Sequence, residues 1–189
     1  DNDFLIDLNF IQNSMASNEL NTGCTDFSCG LHYHISSEKI LYNYYGLFFL
    51  INLIIQWNQT YQTEFVQKNN YQETKVAKAY APRNTLHNDD IKNLNQFKSD
   101  LIELIKQKVI NYDELYDYYE KICDINNNHD RPYLTIVEDE KYIHIEFRGQ
   151  YPYNIKENIK KHIAAIKQMY SDVIQMSIKE YTEANLKSL

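Results

Sequence analysis

The chain has 189 residues, 43% of them hydrophobic and 24% charged, which predicts a soluble globular protein built as a single domain over 1–189. This composition excludes a collagen, a disordered tail and a small disulfide scaffold, and the scarcity of glycine (4) and proline (3) argues against turn-dense β-sandwiches and barrels. The formal net charge of -7 argues against a role in binding nucleic-acid backbones. Most of that charge lies in residues 1–66, which contain seven acids and one base.

The first third of the chain predicts two helices joined by an irregular segment. A first helix is expected over 3–19, where apolar side chains recur every three or four positions. Residues 20–36 are typical of irregular or briefly extended structure, and Ser36 or Ser37 can cap the helix that follows.

That second helix, about 37–64, is expected at the centre of a helical bundle. It contains a mostly apolar run over 44–57, which is shorter than the roughly 20 residues of a membrane span. A narrow polar stripe crosses this otherwise apolar helix, formed by Asn52, Gln56, Gln59 and Thr63. We therefore expect a core helix and no membrane partner.

Two amphipathic helices are predicted next, over about 89–110 and 112–125. Asn88 or Asp89 can cap the first, and the asparagines that follow residue 125 end the second. The side chains expected to face the core are Leu94, Phe97, Leu101, Leu104 and Ile105 in the first helix and Tyr112, Leu115, Tyr119 and Ile122 in the second.

The hydrophobic period changes from helical to alternating over 133–148, which predicts a β-hairpin with one buried face. After it, Asn154 can cap a long C-terminal helix. The sequence therefore predicts a mostly helical α+β fold, in which a bundle around the central apolar helix carries one hairpin. A two-stranded hairpin is marginal alone, so it is expected to lie on helices, extend another strand or pair with a partner.

A cluster of possible zinc ligands lies before the central helix. Cys24, Cys29, His32 and His34 follow the spacing C-x4-C-x2-H-x-H, and four thiolate and imidazole ligands suit a tetrahedral zinc site. The alternatives are reduced thiols in a cytoplasmic protein, or a Cys24–Cys29 disulfide in an exported or periplasmic one, with Cys123 unpaired. Apart from this zinc site, no cofactor is indicated.

Two further sets of polar residues have a spacing that suits chemistry or binding. His144, Glu146 and Arg148 alternate along the predicted hairpin, so they share its polar face and could do acid–base work on a phosphate or carbonyl. An ordinary solvated face is the alternative. The acids Asp113, Asp117, Glu120 and Asp124 form one ridge of a helix, which could meet a basic surface or bind cations. For this ridge, too, an ordinary solvated face is the alternative.

The segment from Arg83 to His87 resembles the Arg-Asn…His signature of HEPN ribonucleases, since Asn84 follows Arg83 and His87 closes the motif. Three residues separate Arg83 from His87, whereas that family normally has four to six. The resemblance implies a dimeric helical bundle in which His87 is the general base and Arg83 binds phosphate. A plain helix start at Asn88 and Asp89 is the alternative.

The leading functional hypothesis is a non-enzymatic acidic protein that neutralises or masks a cationic protein partner, such as an immunity protein or antitoxin that inhibits a toxin. Negative charge, abundant tyrosine (17 residues) and small size support it. The alternatives are a ribonuclease or phosphoester hydrolase, and an interaction module with structural zinc.

Overall fold

Helices dominate the part of the chain that the computed structural model describes, which is residues 31–38, 43–60, 86–109, 111–127, 134–138, 142–150 and 155–186. The described elements are β1 (Leu31–Glu38), α1 (Tyr44–Thr60), α2 (Asn88–Lys106), α3 (Tyr112–Asn127), β2 (Leu134–Glu138), β3 (Tyr142–Gln150) and α4 (Ile155–Leu186). The predicted mostly helical α+β fold is confirmed. The helix predicted over 3–19 lies outside the described residues.

Helix α1 is the centre of the hydrophobic core, as its sequence predicts. Its fully buried side chains lie on all sides of the helix and are Leu47, Phe48, Leu50, Ile51, Leu53, Ile54 and Trp57. It packs against α2, α3, α4 and β2. Burying one such side chain stabilises the fold by about 1.5–3 kcal/mol, so α1 supplies a large share of the hydrophobic free energy.

The start of α1 differs from the prediction that Ser36 or Ser37 caps it. Both serines belong to β1, where they pair with His144 and Ile143 of β3. The helix begins after Asn43, whose side-chain Oδ1 accepts the backbone N–H of Gly46 at 2.8 Å. An asparagine at this position satisfies one of the donors that the first turn leaves unpaired.

Helices α2 and α3 lie close to their predicted bounds. In α2, Leu94, Leu101 and Ile105 are buried, and Phe97 packs against the core. The residue before α2 is His87 rather than Asn88 or Asp89, and its backbone N–H donates to the Asp90 carboxylate at 2.8 Å.

In α3, Leu115, Tyr119 and Ile122 are buried as predicted, but the prediction for Tyr112 is wrong, because 71% of its surface is exposed. Tyr112 is the first residue of the helix. The apolar stripe meets the core only from the next turn onward, so the ring of Tyr112 stays in solvent.

The predicted hairpin is confirmed and is part of a larger sheet. All pairings are antiparallel in the order β1-β3-β2, so β3 is central. The hairpin extends a further strand, β1, most of which falls in the segment 20–36 that was expected to be irregular or briefly extended. Leu134, Ile136, Ile145 and Phe147 are buried on the face turned to the helices. Trp57 of α1 meets Phe147 edge to face, with 4.8 Å between ring centroids, and this contact joins the sheet to the core.

The C-terminal helix α4 begins directly after Asn154, as predicted, and packs mainly on α1. Its buried residues follow helical spacing and are Ile166, Met169, Val173, Ser177 and Ala184. Among the helices of the described ranges, none combines the length and apolar character needed to cross a membrane.

Candidate functional site

An acidic and aromatic surface covers the outer side of α3. We call it the α3 surface; its members are Tyr112, Asp113, Tyr116, Asp117, Glu120 and Asp124, and all six are exposed. Tyr112 and Tyr116 are 71% and 42% exposed, which is high for such large side chains. On a helix the spacing of these residues places an aromatic edge directly beside the acidic ridge.

The core contacts of α3 turn this surface to solvent. Leu115, Tyr119 and Ile122 are buried on the side that packs toward α1, so the acids occupy the opposite side. The helix begins after Asn111, whose Oδ1 accepts the backbone N–H of Asp113 at 3.1 Å. This cap and the acids of the first turn stabilise the helix start, because the N-terminal end of a helix dipole is positive.

None of the four acids of the α3 surface forms an ion pair within the part of the chain that the structure describes. Lys121 lies four residues after Asp117 and three before Asp124, but its Nζ is over the ring of Tyr118, 5.7 Å from the ring centroid. Like charges at intervals of three and four residues repel by about 0.2–0.5 kcal/mol per pair. The helix carries this repulsion on an exposed face, where a cationic partner would relieve it.

The aromatic edge of the α3 surface is anchored to the core. The ring of Tyr116 packs beside the ring of buried Tyr119, with 6.2 Å between the ring centroids. The other side of the Tyr116 ring is open to solvent, where a partner could cover it. The acidic ridge predicted from the sequence did not include the two tyrosines. Tyr116 was recognisable as a surface residue, because its helical position lies outside the apolar stripe predicted for this helix.

The outer face of the sheet brings together residues from two separate sequence clusters. His34 of β1 pairs with Glu146 of β3, and 4.0 Å separates His34 Nε2 from Glu146 Oε1. The His34 side chain is 61% exposed and that of Glu146 only 19%. His144 lies two residues along β3, opposite Ser36. The side chain of Arg148, the third residue of this predicted set, lies outside the described positions.

The other predicted site residues are only partly described. Cys24, Cys29 and Arg83 lie outside the described residues, as does the side chain of His32. Among described residues, no group of three His, Cys, Asp or Glu side chains is arranged to hold a metal ion. His87 is exposed at the start of α2, where its backbone takes part in capping that helix. The zinc and HEPN-like hypotheses therefore stay predictions.

No protein-family model matches the chain, and neither a curated protein nor a solved structure matches it.

Proposed function

We propose that the protein is a non-enzymatic binding protein that neutralises or masks a cationic protein partner through the α3 surface. One observation carries the proposal: four exposed acids without an ion pair among the described residues lie beside two exposed tyrosines on one helix face. An immunity protein or antitoxin that covers a basic toxin is the concrete form.

The two kinds of side chain have complementary roles in such an interface. The acids attract a basic partner over a distance and raise its association rate, an effect that salt weakens. The tyrosines supply apolar area and a polar tip, and aromatic residues of this kind are frequent among the residues that dominate binding energy. Arginine suits this surface best as the partner residue, because its guanidinium pairs with carboxylates and stacks on aromatic rings.

The first test changes the charge of the α3 surface and leaves the fold intact. Asp117→Lys with Glu120→Lys reverses two exposed acids in the middle of α3. The matched control, Asp172→Lys with Glu183→Lys, makes the same change in net charge on exposed positions of α4. Each bait is used in a low-salt pull-down from lysate of the source organism, and captured proteins are identified by mass.

We expect the wild-type chain and the α4 control to retain a basic partner that elutes with salt. The α3 variant should bind it at least about tenfold more weakly, since each 1.4 kcal/mol of lost interaction corresponds to tenfold. Equal retention of the partner by both variants would reject the α3 surface as the interface. Equal loss from both would show that net charge matters and position does not.

A second variant tests the aromatic edge independently of charge. Tyr112→Ala with Tyr116→Ala leaves all four acids in place, so the salt dependence of binding should persist while the dissociation rate rises. The control is Tyr112→Phe with Tyr116→Phe, which keeps the rings and should bind nearly as the wild type does. A dissociation rate unchanged in the alanine variant would remove the tyrosines from the interface.

Phosphoester hydrolysis at the outer sheet face is the second candidate function, favoured by the position of His34 opposite Glu146. In this scheme Glu146 orients an imidazole that acts as general base. The assay uses single-stranded RNA and bis(p-nitrophenyl) phosphate with wild type, His34→Ala, His144→Ala and His87→Ala. Activity lost in the sheet-face variants alone supports this site, loss in His87→Ala alone supports the HEPN-like hypothesis, and no wild-type activity rejects both.

A further inference from the structure

A closed polar network lies where α1, α2 and α4 meet. Lys98 Nζ of α2 donates to Asn52 Oδ1 of α1 at 2.6 Å and to Glu180 Oε1 of α4 at 2.9 Å. Asn52 Nδ2 donates to Glu180 Oε2 at 2.8 Å and to Ser177 Oγ at 3.0 Å. Ser177 Oγ in turn donates to the Val173 carbonyl at 2.7 Å.

The chemistry of the network fixes the orientation of Asn52. Lysine can only donate and an ionised glutamate can only accept, so the amide oxygen must face Lys98 and the amide nitrogen must face Glu180. Both amide hydrogens and both carboxylate oxygens then have partners. The ion pair is largely enclosed, with 18% of the Lys98 side chain and 29% of the Glu180 side chain exposed.

Buried polar side chains are few among the described residues. The described part of the chain buries four polar residues, namely Asn52, Asn58, Asn126 and Ser177, and two of these meet each other in the network. Asn58 bonds to its own helix and to the backbone N–H of Leu86. The contact between α1 and α4 therefore has one buried site, among described residues, at which hydrogen-bonding atoms must align across the helices.

Apolar contacts alone specify helix position weakly. A shift of α4 by one turn, about 5.4 Å, would still place apolar side chains against α1. Phe49 with Tyr170 and Tyr45 with Tyr181 also join the two helices through ring contacts, but rings tolerate displacement better than hydrogen bonds do. A displaced α4 would leave partly buried charges and the buried Asn52 amide without their partners, which disfavours the displaced position.

We propose that the network of Asn52, Lys98, Ser177 and Glu180 is a register lock that selects one position of α4 on α1 and α2. Its contribution is to conformational uniqueness more than to stability. Buried ion pairs often add little stability relative to apolar replacements, whereas single buried polar groups can set the register of packed helices.

The test replaces the network by apolar side chains of similar size and measures helix position directly. The variant carries Asn52→Leu, Lys98→Met and Glu180→Met. Spin labels are placed at Lys92→Cys of α2 and Gln175→Cys of α4, both exposed and outside the network, in a background lacking Cys24, Cys29 and Cys123. Pulsed electron–electron double resonance gives the distribution of distances between the two labels. Circular dichroism gives the helix content, and thermal unfolding gives the stability.

We expect one narrow distance for the intact network. The apolar variant should keep its helix content and a midpoint of thermal unfolding within about 5 °C of the reference, while its distance distribution broadens or gains a second population. A folded apolar variant that keeps the single reference distance would overturn the proposal.

A charge swap gives an answer even if the apolar variant does not fold. Lys98→Glu alone places two carboxylates together and should broaden the distances. Adding Glu180→Lys restores one charge of each sign. Asn52 can accommodate the swap by turning its amide over, and the Ser177 hydroxyl, which now donates to the Val173 carbonyl, can turn to donate to Asn52 Oδ1. The swapped pair should recover the single distance, and a swapped pair that folds with the same broad distances as Lys98→Glu would reject the register lock.

Discussion

Lys108, at the end of α2, has a backbone conformation that residues with a Cβ disfavour. It follows α2 with φ of 55°, in the left-handed region that costs a residue with a Cβ about 1 kcal/mol. This conformation lets the Lys108 N–H donate to the Ile105 carbonyl at 3.0 Å and the Val109 N–H to the Leu104 carbonyl at 3.1 Å. The two bonds form a Schellman motif, in which glycine is the usual residue at this position.

Lys108→Gly should therefore raise the free energy of unfolding by about 0.5–1 kcal/mol, because it removes the strain and keeps both bonds. The control is Gln107→Gly, one residue earlier, where φ is -77° and glycine relieves nothing. That variant should lose about 0.5–1 kcal/mol through backbone entropy. Urea unfolding measures both, and a loss of stability in Lys108→Gly would contradict the assignment.

At the scale of elements, the end of α3 is tied to the edge strand β2. Asn126 Nδ2 donates to the Leu134 carbonyl at 2.7 Å, and Asn127 Nδ2 donates to the Ile136 carbonyl at 3.2 Å. Asn126 is 1% exposed and also donates to Asn127 Oδ1 at 3.0 Å. Exposed strand edges invite pairing with other chains, and these amides occupy two carbonyls of such an edge.

Removing the buried amide should be costly because it leaves the Leu134 carbonyl without its donor. We expect Asn126→Ala to lower the free energy of unfolding by about 1–3 kcal/mol. Asn126→Asp should lower it further, since an isosteric carboxylate lacks both donors and faces two oxygens. Asn127→Ala, at an exposed position with a longer bond, should cost about 0.5 kcal/mol or less. If Asn126→Asp were as stable as the wild type at neutral pH, the bond to β2 would be excluded.

Elements with a strong hydrophobic period were predictable from the sequence, whereas their distant partners were not. The apolar run of α1 and the alternation of β2 and β3 each carry their own signal. β1 was predicted only as irregular or briefly extended structure that ends at a helix cap, because Ser36 and Ser37 resemble such a cap and the pairing with β3 depends on residues more than a hundred positions away. The local sequence favours a helix cap at Ser36 and Ser37, but pairing with β3 places both serines in a strand.

In the candidate site, too, residues placed by local spacing were predictable and pairings between distant residues were not. The acids of the α3 surface were found because helical spacing alone places them on one ridge. The pairing of His34 with Glu146 depends on the register of β1, which the sequence did not reveal. Asn52 belonged to a predicted polar stripe, but its partners are 46 and 128 residues away, on faces that look solvent-exposed in an amphipathic pattern.

For the whole molecule, the abundance of tyrosine makes stability depend on pH in the alkaline range. Burial raises the pKa of Tyr44, Tyr45, Tyr118 and Tyr170 above the ordinary 10.0. The Glu114 carboxylate adds to the rise for Tyr44, and the Asp100 and Glu114 carboxylates add to it for Tyr118. Each of these phenols is thus kept neutral more strongly in the folded chain than in the unfolded one. Tyr44 also needs its proton, because its hydroxyl donates to the Val109 carbonyl and so joins the start of α1 to the end of α2.

Because folding raises the pKa of these phenols, the stability of the fold must decrease at alkaline pH. The unfolded chain loses these protons first, so the stabilisation is complete below pH 10 and declines as the pH rises through the folded-state pKa values. We expect the free energy of unfolding, measured by urea and the fluorescence of the single tryptophan, Trp57, to be flat between pH 8 and 9 and to fall above pH 10.

Lysines lose charge in the same range, so Tyr44→Phe separates the contribution of Tyr44. This variant lacks the bond to Val109 at every pH and is less stable at pH 8, but its stability should fall less steeply above pH 10. The difference between wild type and variant must therefore shrink as the pH rises, and a difference that stays constant would contradict the part assigned to Tyr44.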